Sequence, residues 1–393
     1  MANSFIQNYS TPSQDHLFGV AVLLAFILPH SSTLFLLVNP LLCILLIMNF
    51  KRQWSSYVFI VVAPILLSVL LNLNIASQKA FFSVFSILLY FGFFPLVGAV
   101  RVRNIYLYII LSYILISQLV YLIDIPILTS FFNNAYPADV DDILGIGHMQ
   151  DTISTNNVFD YRLGGIYHNA NNCAEYLCML LAFYLAFNHN ENGSVVLTFC
   201  ILTYSGVLLT GSRTGFVVAT LILFFGLFRK RRYSGISRYV LWGAAIIGLL
   251  FFIRSGVSLR GLDVESGFHN SANAKWDTFV YYLKNESNFI ALIFGHLDSS
   301  LFAMFTGSAI EGYFDCEYGD LIFRFGIVGF FSIMYFWLLT AKRLEKGYRF
   351  YFLILLWIIS SSVVAAYRAC FIFILLLSAI FSNNRVKMPK RIK

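Results

Sequence analysis

The chain has 393 residues, 59% of them hydrophobic and only 12% charged, with a mean hydropathy of +0.75. A soluble globular protein is about one quarter charged, so a conventional water-facing surface is excluded. The net charge of +8 does not mark a nucleic-acid binder, because the basic residues fall in short clusters between apolar runs, the pattern that sets membrane topology.

From the N-terminus, Met1 to His16 is polar with no basic cluster and reads as a short cytoplasmic tail rather than a cleaved signal peptide. Apolar runs follow at 17–29, 33–50, 56–74, 80–100, 105–123, 164–187, 195–211, 214–228, 239–253, 319–341, 350–365 and 367–382. A spanning helix takes about 20 apolar residues. The reading is therefore an all-α polytopic membrane protein of about twelve transmembrane helices, roughly ten to twelve if short neighbours merge, forming a single integral domain over 1–393.

The positive-inside rule orients these spans. With the N-terminus inside, the cytoplasmic loops hold Lys51 and Arg52, Arg101 and Arg103, the run Arg229 to Arg232 with Arg238, and Lys342, Arg343, Lys346 and Arg349. A basic cytoplasmic C-terminal tail brings the inside total to 18 of the 27 basic residues. Two long segments lie outside, 124–163 and 254–318, and loops of such length usually serve a function. In the second, Trp276, Phe279, Val280 and Leu283 form a helical stripe. It suits either the outer membrane surface or packing within the loop. The six cysteines are spread mainly over apolar runs without metal-ligand spacing, so neither a zinc site, nor any other metal, nor a disulfide framework is expected.

Four constellations carry candidate chemistry. The first is Arg162-Leu-Gly-Gly-Ile-Tyr-His168-Asn169-Ala-Asn171-Asn172-Cys-Ala-Glu175, at the outer end of a span. His168, Asn172 and Glu175 fall on one helical face, and intramembrane polar groups serve either function or hydrogen bonding between helices. The second is Thr210-Gly-Ser212-Arg213-Thr-Gly215, a tight exterior turn holding an arginine at the membrane surface. Its guanidinium is a planar fork suited to phosphate; a snorkelling turn residue is the plain alternative.

The third is the set Arg254, Arg260, Arg324 and Arg368, on the side where arginine is disfavoured. An anionic ligand or pairing with Asp263 and Glu265 would each account for it. The fourth runs from Glu311 through Asp315, Glu317 and Asp320 to Arg324, Gly326 and Gly329, entering a span. A carboxylate there suits deprotonation of a hydroxyl or complements the helix dipole. His269 and His296 lie in the same loop.

In their order and placement these segments resemble the O-antigen polymerase and ligase superfamily. Arg162 through Ala174 is similar to that family's R-x-x-G-x-x-x-N-x-N helix entry, and Ser212-Arg213-Thr-Gly215 to its S-R-[GT]-G turn. Glu317-Tyr318 with Gly326-Ile-Val-Gly329 is similar to its segment after the large loop. Glu175 departs from the pattern, where the family residue is small or apolar.

The resemblance implies a membrane glycosyltransferase of the GT-C type in a bacterial inner membrane, with both termini cytoplasmic. It would join undecaprenyl-pyrophosphate-linked oligosaccharides at the periplasmic face without cofactor or nucleotide sugar. Its partners would be the bilayer and a chain-length regulator protein, with no nucleic acid. The residues it points to for pyrophosphate or glycan are Arg162, Asn169, Asn171, Arg213, Arg254, Arg260 and Arg324. For acceptor activation it points to Glu317, Asp320 and His168. The superfamily's ligases carry a histidine late in the large loop. Here that stretch reads Asp315-Cys316-Glu317-Tyr318, which favours a polymerase unless His296 or His269 takes the role. A lipid-linked oligosaccharide flippase is the alternative from another class. It would need charges deep in several spans, whereas this sequence keeps them near the outer ends apart from Glu175.

Overall fold

The computed structural model describes residues 12–28, 56–74, 81, 84, 102–136, 163–167, 170–187, 193–228, 243, 280–297 and 317–343. Among these the regular structure is helical, with no strand. The helices are α1 (Pro12–Ile27), α2 (Ser56–Leu71), α3 (Asn104–Ile123), α4 (Pro126–Ala135), α5 (Ala170–Phe187), α6 (Gly193–Leu209), α7 (Arg213–Phe228), α8 (Phe289–Phe294) and α9 (Glu317–Arg343). The expected spans at 33–50, 350–365 and 367–382 lie outside the described residues, as do nearly all of 80–100 and 239–253.

One described helix, α3, is long and apolar enough to cross a membrane, at 20 residues and a hydropathy of 2.0. Its two faces differ. Leu107, Ile110, Leu111, Ile114, Ser117 and Gln118 are buried at helical spacing. The other face carries Ile105, Ile109, Ile116, Leu119 and Ile123, all exposed. A surface helix of a water-soluble protein would be polar there. Of its interior polar groups, Ser117 and Gln118 point inward and only the small Ser112 lies on the exposed face.

α3 is the hub of the packing. It meets α1, where Gly19 lets the Tyr106 ring lie against the backbone and His16 Nδ1 lies 2.9 Å from the Tyr106 hydroxyl. It meets α5 and α6 through Tyr108, whose hydroxyl is 3.0 Å from that of Tyr184, and Tyr184 stacks on Phe199 at 3.7 Å. Between α5 and α7, a Cβ at Gly215 would lie 2.4 Å from Ala174 Cβ, so glycine sets how closely these helices approach.

The segment 124–163, expected outside, opens with structure. Asp124 ends α3 in the left-handed region (φ 54°), and Pro126, at the first position of α4, starts a helix that folds back. The Tyr113 hydroxyl lies 2.9 Å from that of Tyr136, and the Tyr121 hydroxyl donates to Asn133.

A second group joins α2, α8 and α9. α9 is broken at Gly326, whose φ of 67° and ψ of −178° belong to a region essentially reserved for glycine. Both groups contribute to one buried core, from Phe18 and Tyr167 to Leu297, Leu321 and Phe325.

Candidate functional site

The structure brings the first two constellations together. Leu163 N–H donates to the carbonyl of Leu209 at 3.1 Å, which joins the segment after Arg162 to the end of α6. Arg213 opens α7 just beyond that turn. The last four carbonyls of a helix need partners from outside it, and here each has one. Gly206 receives Gln118 Nε2 at 3.0 Å. Val207 receives the Thr210 hydroxyl at 2.6 Å, Leu208 receives Gly211 N–H and Leu209 receives Leu163 N–H.

Within Thr210-Gly-Ser-Arg-Thr-Gly, most residues have a structural job. Thr210 Oγ1 also accepts from Ser212 N–H, Gly211 takes the left-handed turn at φ 60°, and Ser212 Oγ accepts from Gly215 N–H as a helix N-cap. Arg213 follows as the first residue of α7. A cation in the first turn opposes the helix dipole, so helix stability does not call for arginine there. Its side chain lies outside the description, as do those of Glu317 and Asp320; all three are placed by their backbone.

The entry to α5 is held from α3. Gln118 Nε2 donates to the Leu163 carbonyl at 3.1 Å, and Ser117 Oγ accepts from Ile166 N–H at 3.2 Å. Gly165, at φ 57°, has Ser117 Oγ 2.5 Å from where a Cβ would stand. The Tyr167 hydroxyl donates to the Phe26 carbonyl at 2.6 Å, and its ring stacks on Tyr176 at 4.3 Å. Further along, Asn172 and Glu175 are buried, whereas Asn171 is exposed. The Asn172 Oδ1 is buried with no hydrogen-bond partner among the described residues. Arg162, His168 and Asn169 lie outside the described residues, as do Arg254 and Arg260. Gln118 and Ser117 are the residues the sequence reading passed over. Their signal was present: an adjacent polar pair inside an otherwise apolar run.

The second cluster surrounds the break in α9. Arg324, expected near the outer boundary, is 5% exposed. Its Nε donates to the Leu297 carbonyl at 3.3 Å, and its guanidinium lies 5.6 Å from the Phe325 ring centre. Glu317, Asp320 and Arg324 belong to the half of α9 that precedes the break.

Beside them, His296 Nε2 lies 2.5 Å from Glu286 Oε2, with the Glu286 side chain 2% exposed and that of His296 13%. The His296 ring stacks on Phe323 at 4.8 Å, and Tyr282 meets Phe323 edge-on at 5.2 Å. Burial, reinforced by the Glu286 carboxylate, pushes the Tyr282 phenol well above its ordinary value, so Tyr282 stays neutral. Part of the expected stripe, Val280 and Leu283, falls among the described residues. Tyr282 is the buried residue of this helical turn, while Leu283 is 37% exposed. Trp276 and Phe279 lie outside the described residues.

Chemically, the first cluster fixes the backbone of an arginine-bearing turn against an asparagine-rich helix entry. The second places a histidine–carboxylate pair next to a buried arginine. No protein-family model and no curated protein matches the sequence.

Proposed function

We propose that the chain is a polytopic inner-membrane glycosyltransferase of about twelve helices that polymerises surface-polysaccharide repeat units at the periplasmic face. The observation that carries this reading is the hydrogen bond from Leu163 to Leu209. It holds two separate motifs, each bearing an arginine, at one end of a helix cluster. The exposed apolar face of α3 supports the membrane setting.

In this reading the donor is an oligosaccharide on undecaprenyl pyrophosphate, and Arg162 and Arg213 grip the pyrophosphate, with Arg254, Arg260 and Arg324 adding charge. Asn169 and Asn171 bind glycan. The acceptor hydroxyl oxygen forms a bond to the donor's anomeric carbon as the bond from that carbon to the pyrophosphate oxygen breaks. The pyrophosphate keeps the electron pair, and the arginines stabilise its charge. The hydroxyl proton passes to a base, the Glu317 carboxylate first, with the Asp320 carboxylate and the His168 imidazole as the other candidates. Both substrates reach the site sideways through the bilayer, and a chain-length regulator protein would act alongside.

The His296–Glu286 pair favours one second reading, a ligase that passes the finished glycan to lipid A-core. A carboxylate orients the imidazole and supports it as a base, the role a late-loop histidine would fill. Deleting the gene and running surface polysaccharide on a gel separates these. A polymerase null shows core plus a single repeat and no ladder, restored by the wild-type gene and not by Arg213→Ala. A null lacking even the first repeat would reject the polymerase in favour of the ligase or a flippase.

A further inference from the structure

The segment Phe289–Leu297 is too short to cross a bilayer, which takes about 20 residues, yet it is built like something that enters one. Phe289 is 71% exposed and Ile290 55%, both on the first turn of α8. The polar atoms beside them are committed to the backbone: Asn288 Oδ1 accepts from Ile290 N–H at 3.0 Å and Ala291 N–H at 3.3 Å.

Past α8 the chain is not helical, and the N–H groups of Gly295, His296 and Leu297 and the carbonyls of Gly295 and Leu297 all bond to protein. Gly295 N–H returns to the Ala291 carbonyl at 2.6 Å. The Gly295 carbonyl accepts Asn72 Nδ2 at 3.1 Å. His296 N–H donates to the Phe323 carbonyl at 2.8 Å, and Leu297 N–H to that of Arg324 at 2.9 Å. The Leu297 carbonyl accepts Arg324 Nε, and Ser68 Oγ donates to the Arg324 carbonyl at 3.2 Å.

The break in α9 makes this possible. Non-helical Gly326 interrupts the intrahelical ladder, and the carbonyls of Phe323 and Arg324 turn to the incoming segment instead. A Cβ at Gly295 would sit 2.2 Å from the Arg324 carbonyl oxygen, and one at Gly326 would sit 2.1 Å from that of Ile293. The two glycines let two backbones touch.

Irregular backbone at membrane depth is tolerated only where protein satisfies its polar groups in this way. The level is set by α2. Ser68 and Asn72 face the segment one helical turn apart, while Leu66, Leu67, Leu70, Leu71 and Leu73 on the same stretch are exposed. α2 and α8 are in contact, and the Asn72–Gly295 bond ties the segment to that leucine-rich helix.

We propose that residues 289–297 form a re-entrant element dipping into the outer leaflet, with Phe289 and Ile290 among phospholipid acyl chains. The exposed Leu283 and Tyr281 then lie at the bilayer surface, and the Glu286–His296 pair stands at headgroup level. That is also the level at which a polyprenyl-linked pyrophosphate would present its charge. The inference rests on the membrane-spanning part of the reading above and is independent of the glycosyl transfer.

The test uses the full chain in phospholipid vesicles, with 4-trifluoromethylphenylalanine in place of Phe289 in one sample and in place of Ile116, on the exposed face of α3, in another. Fluorine relaxation is compared under dissolved oxygen, which concentrates in acyl chains, and under a water-soluble nickel chelate. The expected result is relaxation dominated by oxygen at both positions. Nickel dominance at 289 with oxygen dominance at 116 would overturn the re-entrant element and leave the spans standing. Nickel dominance at both would overturn the element together with the spanning reading.

Discussion

The α6–α7 turn and the break in α9 are both polar clusters at helix ends, and they differ in how far along the chain their bonds reach. At the turn, Thr210 bonds three residues back to Val207 and Ser212 three residues on to Gly215. At the break, Ser68 reaches Arg324 across 256 positions and Asn72 reaches Gly295 across 223. The bonds inside the turn are written in a few adjacent letters, and only its seam with α3 and with the segment after Arg162, through Gln118 and Leu163, depends on distant residues. The cluster at the break depends on two glycines allowing main chain to touch main chain, and it fails as a unit. The comparison predicts that substitutions at the break are costly and cooperative, while those at the turn are graded.

Gly326→Ala is the harshest break of this comparison. The conformation alone costs a non-glycine residue about 1–3 kcal/mol, and the new methyl group also meets the Ile293 carbonyl. Melting of the purified protein in detergent should fall markedly and polymer should be lost; a melting temperature equal to wild type would show that α9 is not broken there.

Gln118→Leu comes next. It leaves the Leu163 and Gly206 carbonyls buried without their donor, at about 1–3 kcal/mol for such loss. Chemical denaturation should show a loss in this range together with shorter polymer. Wild-type stability in that variant would mean that Gln118 does not tie the two motifs together.

Ser212→Ala removes a helix cap worth about 1 kcal/mol. The same denaturation series should place it below Gln118→Leu, with polymer reduced rather than abolished. Arg213→Ala should be the mildest for folding, within about 0.5 kcal/mol of wild type, because a cation in the first turn of a helix opposes its dipole. It should nevertheless abolish the ladder. If it costs as much stability as Ser212→Ala and leaves the ladder intact, Arg213 is a structural residue and the turn is scaffold.

The local cluster was readable for the same physical reason. The glycines and hydroxyls of Thr210 to Gly215 announce a turn by residue type, and the apolar runs at 105–123, 195–211 and 214–228 reappear as α3, α6 and α7 with ends shifted by one or two residues. The helix at Pro126–Ala135 was passed over inside a segment read as loop, although Pro126 followed by Ile127 and Leu128 is a start signal. The break at Gly326 was not readable, since a glycine inside an apolar run is as often packing as conformation, and only the φ of 67° distinguishes the two. The pairing of His296 with Glu286 was equally hidden. Ten residues apart, they would stand far from each other on one helix or strand, and they meet because the chain leaves α8 at Gly295, with φ 80°. Leu283 was placed on a packed or membrane-facing stripe by period alone, and its exposure agrees with the second of these, while the burial of neighbouring Tyr282 against Phe323 was not readable from period.

The most direct test of the central claim is reconstitution. The single-repeat lipid-linked oligosaccharide that the deletion strain accumulates is extracted and added to the purified chain in vesicles. Polymerisation predicts products of two, three and more repeats on one lipid, with undecaprenyl pyrophosphate released once per linkage formed and neither event occurring with Arg213→Ala. Transfer only when lipid A-core is supplied, or no glycosidic bond formed at all, would contradict it.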